Sequence, residues 1–410
     1  MSESTSQPAS QPASQPASPA KADRPFDIVL YGATGFTGGL VAEYLLRNMP
    51  EGGSWAVAGR NRTKLDAVVA QLAAQSPEVP APGVVVADTD DPASLAEMAR
   101  STRVIITTVG PYLAHGEPLV AACAEAGTDY VDLTGEPEFV DRMYLTYNDA
   151  AKASGARIVH ACGFDSIPHD LGVFYTMKQV PEDVPAVVYG AVHADAQFSG
   201  GTFHSAIGQF ARLREAAKAA KQRRHKEGKV PGRRIKSIQG KPHRDEVLDR
   251  FLVPLPTIDP QIVLRSAAAL DSYGPDFTYS HYASVGSPVT AVAGMVGVGA
   301  VALGSQVGPV RSQILRRIER GAGPSESRRA RSSFDVTFVA LAGGRRVVTR
   351  VSGGDPGYTE TSMMLAESGL CLAFDDLPAL SGQLTTAQAM GDALLERVER
   401  GGLTFEVLSS

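Results

Sequence analysis

From Asp27 to Gly163 short apolar runs alternate with helical stretches, and this rhythm limits the fold more than any other feature of the 410 residues. DIVLY precedes FTGGLVAEYLLRN, SWAVAG precedes RTKLDAVVAQLAAQ, and GVVVAD precedes PASLAEMAR. RVIITTVG, DYVDLTG and RIVHACG continue the series, with EPLVAACAEAG and PEFVDRMYLTYNDAAKASG between them. Strands apolar on both faces need helical cover on both sides, so the expectation is an α/β fold with a doubly wound parallel sheet of about six βα units. After Pro168 the rhythm lapses. AVVYGAVHADA, FTYSHYASV, SFDVTFVAL and RRVVTRVSG read as strands of period-two polarity, the last two joined by AGG as a hairpin. A second, α+β domain is expected there.

Composition narrows the function classes. A net charge of −5 and a pI near 5.9 carry no nucleic-acid footprint. Cys123, Cys162 and Cys371 form no C-x-x-C pair, and the eight histidines show no ligand spacing, so neither a disulfide framework nor a metal site is expected. A reducing cytoplasm suits such a chain. The opening two dozen residues repeat QPAS and hold no apolar block for a signal peptide. Too little apolar surface is available there to offset the entropy of ordering, which predicts a disordered tail over residues 1–24.

The strongest local signal is GATGFTG, which follows the first strand directly and opens a helix. Gly32 permits the tight turn, Gly35 lets the backbone approach a pyrophosphate, and Gly38 permits close helix packing; Thr34, Phe36 and Thr37 complete the loop. This is a Rossmann dinucleotide site. Where an NAD-preferring domain places Asp or Glu after the second strand, this chain reads Arg60 and Asn61. A guanidinium there offers charge-assisted donors to a 2′-phosphate, so NADP(H) is the expected cofactor. Asp88, closing the third strand, either accepts from the adenine amino group or caps the helix at Pro92.

Ligands of doubly wound sheets lie beyond the carboxyl ends of the strands. There the sequence offers Thr108, Gly110, Pro111 and Tyr112, then Gly135 and Glu136, then Asp165, Ser166 and His169. Thr108, Gly110, Pro111 and Gly135 are taken as cofactor contacts. Tyr112 is the first candidate proton donor, with Asp165, Ser166, His169 and, after the FSGGT turn, His204 as rivals; a buried, satisfied side chain is the plainer role for each.

These strings resemble the saccharopine dehydrogenase-like family, and within it the trans-acting enoyl reductases of actinobacterial polyketide lipid synthesis. The resemblance rests on FDIVLYGATGFTG, AGRN, TTVGPY, LVAACAEAGTDYVDLTGE and ARIVHACGFDSIPHDLG, then on FSGGT, GPSESRRAR, GDPGYTETSMMLAESGLCLA and GGLTFEVL. It implies a Rossmann domain over 25–178, an inserted α+β substrate domain over 179–355, and a segment over 356–410 that returns to the first. It also implies NADPH-dependent reduction of an α,β-unsaturated acyl thioester presented by a synthase. A reductase of another small or lipid substrate, and a non-catalytic NADP(H)-sensing module, are the competing readings.

Two further segments bear on partners. Between Ala211 and Arg250 there are 14 Lys or Arg against 5 Asp or Glu, a surface suited to an acidic acyl carrier domain or to anionic lipid. PVTAVAGMVGVGAVALG, Pro288 to Gly304, is uncharged but short of the roughly 20 residues of a bilayer span. It is expected to be a buried helix, a lid over an acyl pocket, or a contact with a membrane surface at which the protein is peripherally associated.

Overall fold

The computed structural model describes residues 21–196, 207–209, 211–306, 308, 313 and 323–410. Its first half is built from β1 (Phe26–Tyr31), α1 (Phe36–Asn48), β2 (Trp55–Gly59), α2 (Arg62–Gln75), β3 (Gly83–Val86) and α3 (Pro92–Arg100). β4 (Thr102–Thr107), α4 (Tyr112–His115), α5 (Glu117–Ala126), β5 (Asp129–Asp132), α6 (Pro137–Ser154), β6 (Arg157–Val159) and α7 (Ile167–Met177) follow. Successive strand residues point to opposite faces. Ile28, Leu30, Val57, Val104 and Ile106 enter one core while Val29, Ala56, Ala58 and Ile105 enter another, and all are fully excluded from solvent. That double burial explains the unbroken apolar runs.

The second half holds β7 (Ala186–Asp195), α8 (Leu213–Glu227), β8 (Arg234–Ser237), β9 (His243–Asp245), β10 (Arg250–Pro254), α9 (Asp259–Ala269) and β11 (Asp276–Val285). α10 (Pro288–Ser305), β12 (Ser333–Ala342), β13 (Arg345–Gly353), α11 (Thr359–Phe374), β14 (Gly382–Leu384), α12 (Thr386–Arg400) and β15 (Thr404–Ser409) complete it. The first sheet has the order β14-β6-β5-β4-β1-β2-β3, all parallel. Its seventh strand is the three-residue GQL, too short to register as periodic sequence. The second sheet is mixed, in the order β15-β13-β12-β7-β11-β10-β9 with β8 beside β11. β12 and β13 form the hairpin expected from AGG.

The chain after Pro356 serves both sheets. α11 packs on α1, β4 and β5, and β14 joins the first sheet, whereas β15 pairs with β13 in the second. At the other end, ordered structure begins before the expected limit of the tail. Arg24 is 8% exposed and donates to the Thr102 and Ala126 carbonyls and to Thr128 Oγ1, because strand and helix ends there leave buried acceptors that a guanidinium can gather.

Part of the basic stretch is paired within the chain. Arg223 is buried against Asp141 and Glu227, Arg212 forks onto Glu138, and Lys226 meets Asp149, so α8 is fastened to α6 by charge. Lys218, Lys221 and Arg224 remain exposed on its outer side. α10 is also not the buried helix of the first expectation: Val289 is 78% and Leu303 75% exposed. Among the described residues no helix is long and apolar enough to cross a membrane.

Candidate active site

The glycine loop is shaped by backbone contacts. Gly32 adopts φ +97°, where a Cβ would also strike Thr108 Oγ1 at 2.7 Å, and Gly35 N–H donates to the Gly32 carbonyl at 3.0 Å. A Cβ on Gly38 would lie 2.1 Å from the Gly32 oxygen, so α1 can press against the end of β1 only without a side chain there. Gly35 is the N-cap of α1, is exposed, and leaves the helix without a side-chain cap. The first-turn N–H groups are therefore directed at the space beyond the strand ends, as a dinucleotide pyrophosphate requires. Thr108 supports the loop from beneath, donating to the Gly32 carbonyl at 3.2 Å.

Arg60 is exposed immediately after β2, and Asp88 closes β3 beside it; both charges act on the Tyr31 hydroxyl, whose pKa burial pushes up to about 12. Asn61 is otherwise occupied, its side chain accepting from Lys64 N–H as the cap of α2. For Asp88 the structure decides between the two expectations on one point: Asp91, not Asp88, caps α3. Asp88 instead accepts from Asp90 N–H at 3.2 Å.

Tyr112 departs from its expected place. It is 5% exposed, its hydroxyl donates to the Thr107 carbonyl at 3.2 Å and accepts from Leu133 N–H, and burial raises its pKa well above normal. Packed against Phe139, it braces the ends of β4 and β5 rather than facing the cleft. Gly110 and Pro111 form the turn that leads into it. Glu136 likewise works within the fold, accepting from Tyr112 and Leu113 N–H groups.

The turn from β6 into α7 holds the group of greatest chemical interest. Asp165 is partly exposed, and its carboxyl lies against Gly135, where a Cβ would meet Oδ1 at 3.0 Å. Burial first, then the negative charge of Asp259, pushes its pKa up to about 7. Ser166 is the N-cap of α7 with its Oγ buried and unpartnered. His169 is 2% exposed and sets Nδ1 2.9 Å from Asp259 Oδ1. His281 closes the cluster from β11, its Nε2 3.5 Å from Asp259 Oδ2 and its Nδ1 3.0 Å from the Tyr279 hydroxyl. Burial opposes ionisation of Asp259, yet His169 and His281 hold it below the usual carboxylate range, while burial drives His281 down to about 4. Asp259 and His281 escaped the sequence reading because α9 and β11 carry no motif. His204 lies outside the described residues.

Residues 28–159 match the saccharopine dehydrogenase NADP-binding domain. A Mycobacterium tuberculosis protein, provisionally named a trans-acting enoyl reductase, is 38% identical over 93% of this chain and 97% of its own. The trans-acting enoyl reductase of Mycobacterium ulcerans is 37% identical over 94% of this chain and 98% of its own. The chain belongs to the saccharopine dehydrogenase-like oxidoreductases. The trans-acting enoyl reductase of Mycobacterium leprae, 36% identical over 93% of the oxidoreductase, stands in the same group. Apo saccharopine dehydrogenase (L-Glu forming) from Saccharomyces cerevisiae superposes with a TM-score of 0.54 over 94% of this chain and all of the yeast chain, at 11% identity, a likeness of fold.

NADP(H) is the cofactor of this oxidoreductase. The residues fit it: an uncapped helix N-terminus behind a side-chain-free loop for the pyrophosphate, and, after β2, the exposed guanidinium of Arg60 with donors suited to a phosphate.

Proposed function

We propose that the oxidoreductase reduces the α,β double bond of an acyl thioester, acting in trans on a chain carried by another protein. The feature that carries this reading is Asp165, a carboxyl set against Gly135 in the turn after β6, its pKa pushed up to about 7 by burial and then by Asp259. When bound, NADPH supplies hydride. The enoyl substrate then needs a proton at its α-carbon and stabilisation of the enolate oxygen. Asp165 is the proton donor, since a carboxyl still partly protonated at neutral pH can give up its proton without a large penalty. Ser166, whose Oγ is unpartnered at the start of α7, offers a donor to the developing oxyanion.

Two surface features support a carrier-bound lipid chain over a small polar substrate. α10 presents apolar side chains to the outside, and α8 exposes Lys218, Lys221 and Arg224, a basic face for an acidic carrier domain. The names of the mycobacterial relatives favour the same reading. Reversing these three cations to Glu tests it. Reduction of a carrier-bound enoyl thioester should fall about tenfold at low salt, with the free pantetheine thioester unaffected. Equal activity on both substrates would remove the carrier from the proposal, and loss confined to binding of anionic vesicles would give the basic face to a membrane surface.

A further inference from the structure

Phe36 is the first residue of α1, one position beyond the glycine that lets the pyrophosphate approach, and its ring is enclosed by the distant end of the chain. Tyr358 meets it edge-on at 5.0 Å between centroids. Gly323 lies so close that a Cβ there would come within 2.2 Å of the ring. The guanidinium of Arg329 stacks over it at 5.3 Å, a separation at which cation and ring attract. Two segments remote in sequence, GPSESRRAR and GDPGYTET, thus meet on the residue that starts the phosphate-binding helix.

Arg329 is incompletely satisfied in this position. Its Nε is buried and has no hydrogen-bond partner. A guanidinium nitrogen left without an acceptor costs free energy that an anion would recover, and a planar fork of donors suits phosphate oxygens better than any other cationic side chain does. The stacking on Phe36 holds the charge beside the α1 N-terminus, where the N–H groups and the helix dipole already favour a negative group.

We propose that Arg329, in the segment that leads into β12, is a cofactor-binding residue that engages the pyrophosphate together with the glycine loop. The dinucleotide is then gripped from two sides, by backbone N–H groups of α1 and by a side chain contributed from the far part of the chain. Its target is the pyrophosphate and not the 2′-phosphate, because Phe36 stands at the end of β1 whereas Arg60 follows β2. This assignment is independent of which acyl substrate the enzyme reduces.

Calorimetric titration of Arg329→Gln with NADPH and with NADH is the test. Both affinities should fall about tenfold or more, and by the same factor, because the pyrophosphate is common to the two. Arg329→Lys, which keeps the charge but loses the fork, should recover part of the loss, and the melting midpoint of the ligand-free variants should match the parent. Undiminished NADPH affinity in Arg329→Gln, or a loss confined to NADPH, would overturn the proposal.

Discussion

Asp259, the first residue of α9, holds Nδ1 of His169 at 2.9 Å across the junction between the α7 turn and the second sheet, and both side chains are almost completely excluded from solvent. Asp259 is also the principal charge acting on Asp165, so a residue of the second half of the chain adds to burial in raising the proton affinity of a group in the first.

A pH prediction follows from that relationship. Asp165 faces negative charge from Asp259, Asp132 and Glu136 and positive influence from His169. Burial first, and then the Asp259 carboxylate, disfavour its ionisation, so the folded pKa of Asp165 is raised and its proton is present below about 7 and lost above it. kcat/KM for an enoyl thioester should therefore fall on the alkaline side of about pH 7 in the parent. In Asp259→Asn that limb should move to lower pH by about one unit, whereas a purely structural defect would lower the whole profile without moving it. An unmoved limb would detach Asp259 from Asp165.

We propose that Arg60 discriminates between the two nicotinamide cofactors. NADPH should bind about tenfold more tightly than NADH, and Arg60→Ala should erase most of the difference while leaving NADH affinity nearly constant. Calorimetry on the parent and the variant gives both numbers. A preference that survives the substitution would place the 2′-phosphate elsewhere.

The glycines of the loop should fail in different ways. Gly35 is exposed and a Cβ would meet nothing closer than the Gly32 oxygen at 3.4 Å, so Gly35→Val should fold and lose NADPH binding. At Gly38 the added carbon would sit 2.1 Å from backbone, so Gly38→Ala should destabilise the protein by about 1–3 kcal/mol. Denaturant melts paired with NADPH titrations separate the two. Equal stability of the variants, or retained binding in Gly35→Val, would contradict this division of roles.

Arg24 predicts a stability effect far from the chemistry. Replacing it with Ala leaves the Thr102 and Ala126 carbonyls without their buried donor and should cost on the order of 3 kcal/mol in urea unfolding. A change within measurement error would mean that water replaces the guanidinium there.

The first six strands of the parallel sheet were legible in sequence because central ones such as β1, β2 and β4 are apolar on both faces, a pattern few other folds impose, whereas the three-residue GQL was too short to register. The glycine loop was equally plain, since Gly32 and Gly38 are demanded by backbone geometry that no other residue satisfies. What sequence could not show was direction. Tyr112 stands at a strand end as expected, but whether its ring turns to the cleft or to Phe139 is decided by packing across α6. Asp259 and His281 occupy ordinary positions on a helix and a strand, and only tertiary contact brings them to His169. Arg329 lay within a quoted motif without an assigned role, because its partner Phe36 is distant along the chain. Likewise the charge count from Ala211 to Arg250 could not reveal that Arg223 is buried in ion pairs with Asp141 and Glu227.

The central claim, reduction of an enoyl double bond, is tested most directly by isotope transfer. NADPH carrying deuterium at C4 of its dihydronicotinamide, each face labelled in turn, would be incubated with an enoyl thioester on an acyl carrier domain, and the product examined by mass spectrometry and NMR. The account predicts a saturated acyl chain with one deuterium at the β-carbon from one labelled face, and an α-proton drawn from solvent. Deuterium delivered to a carbonyl or imine carbon of another substrate, with the enoyl chain recovered intact, would contradict it.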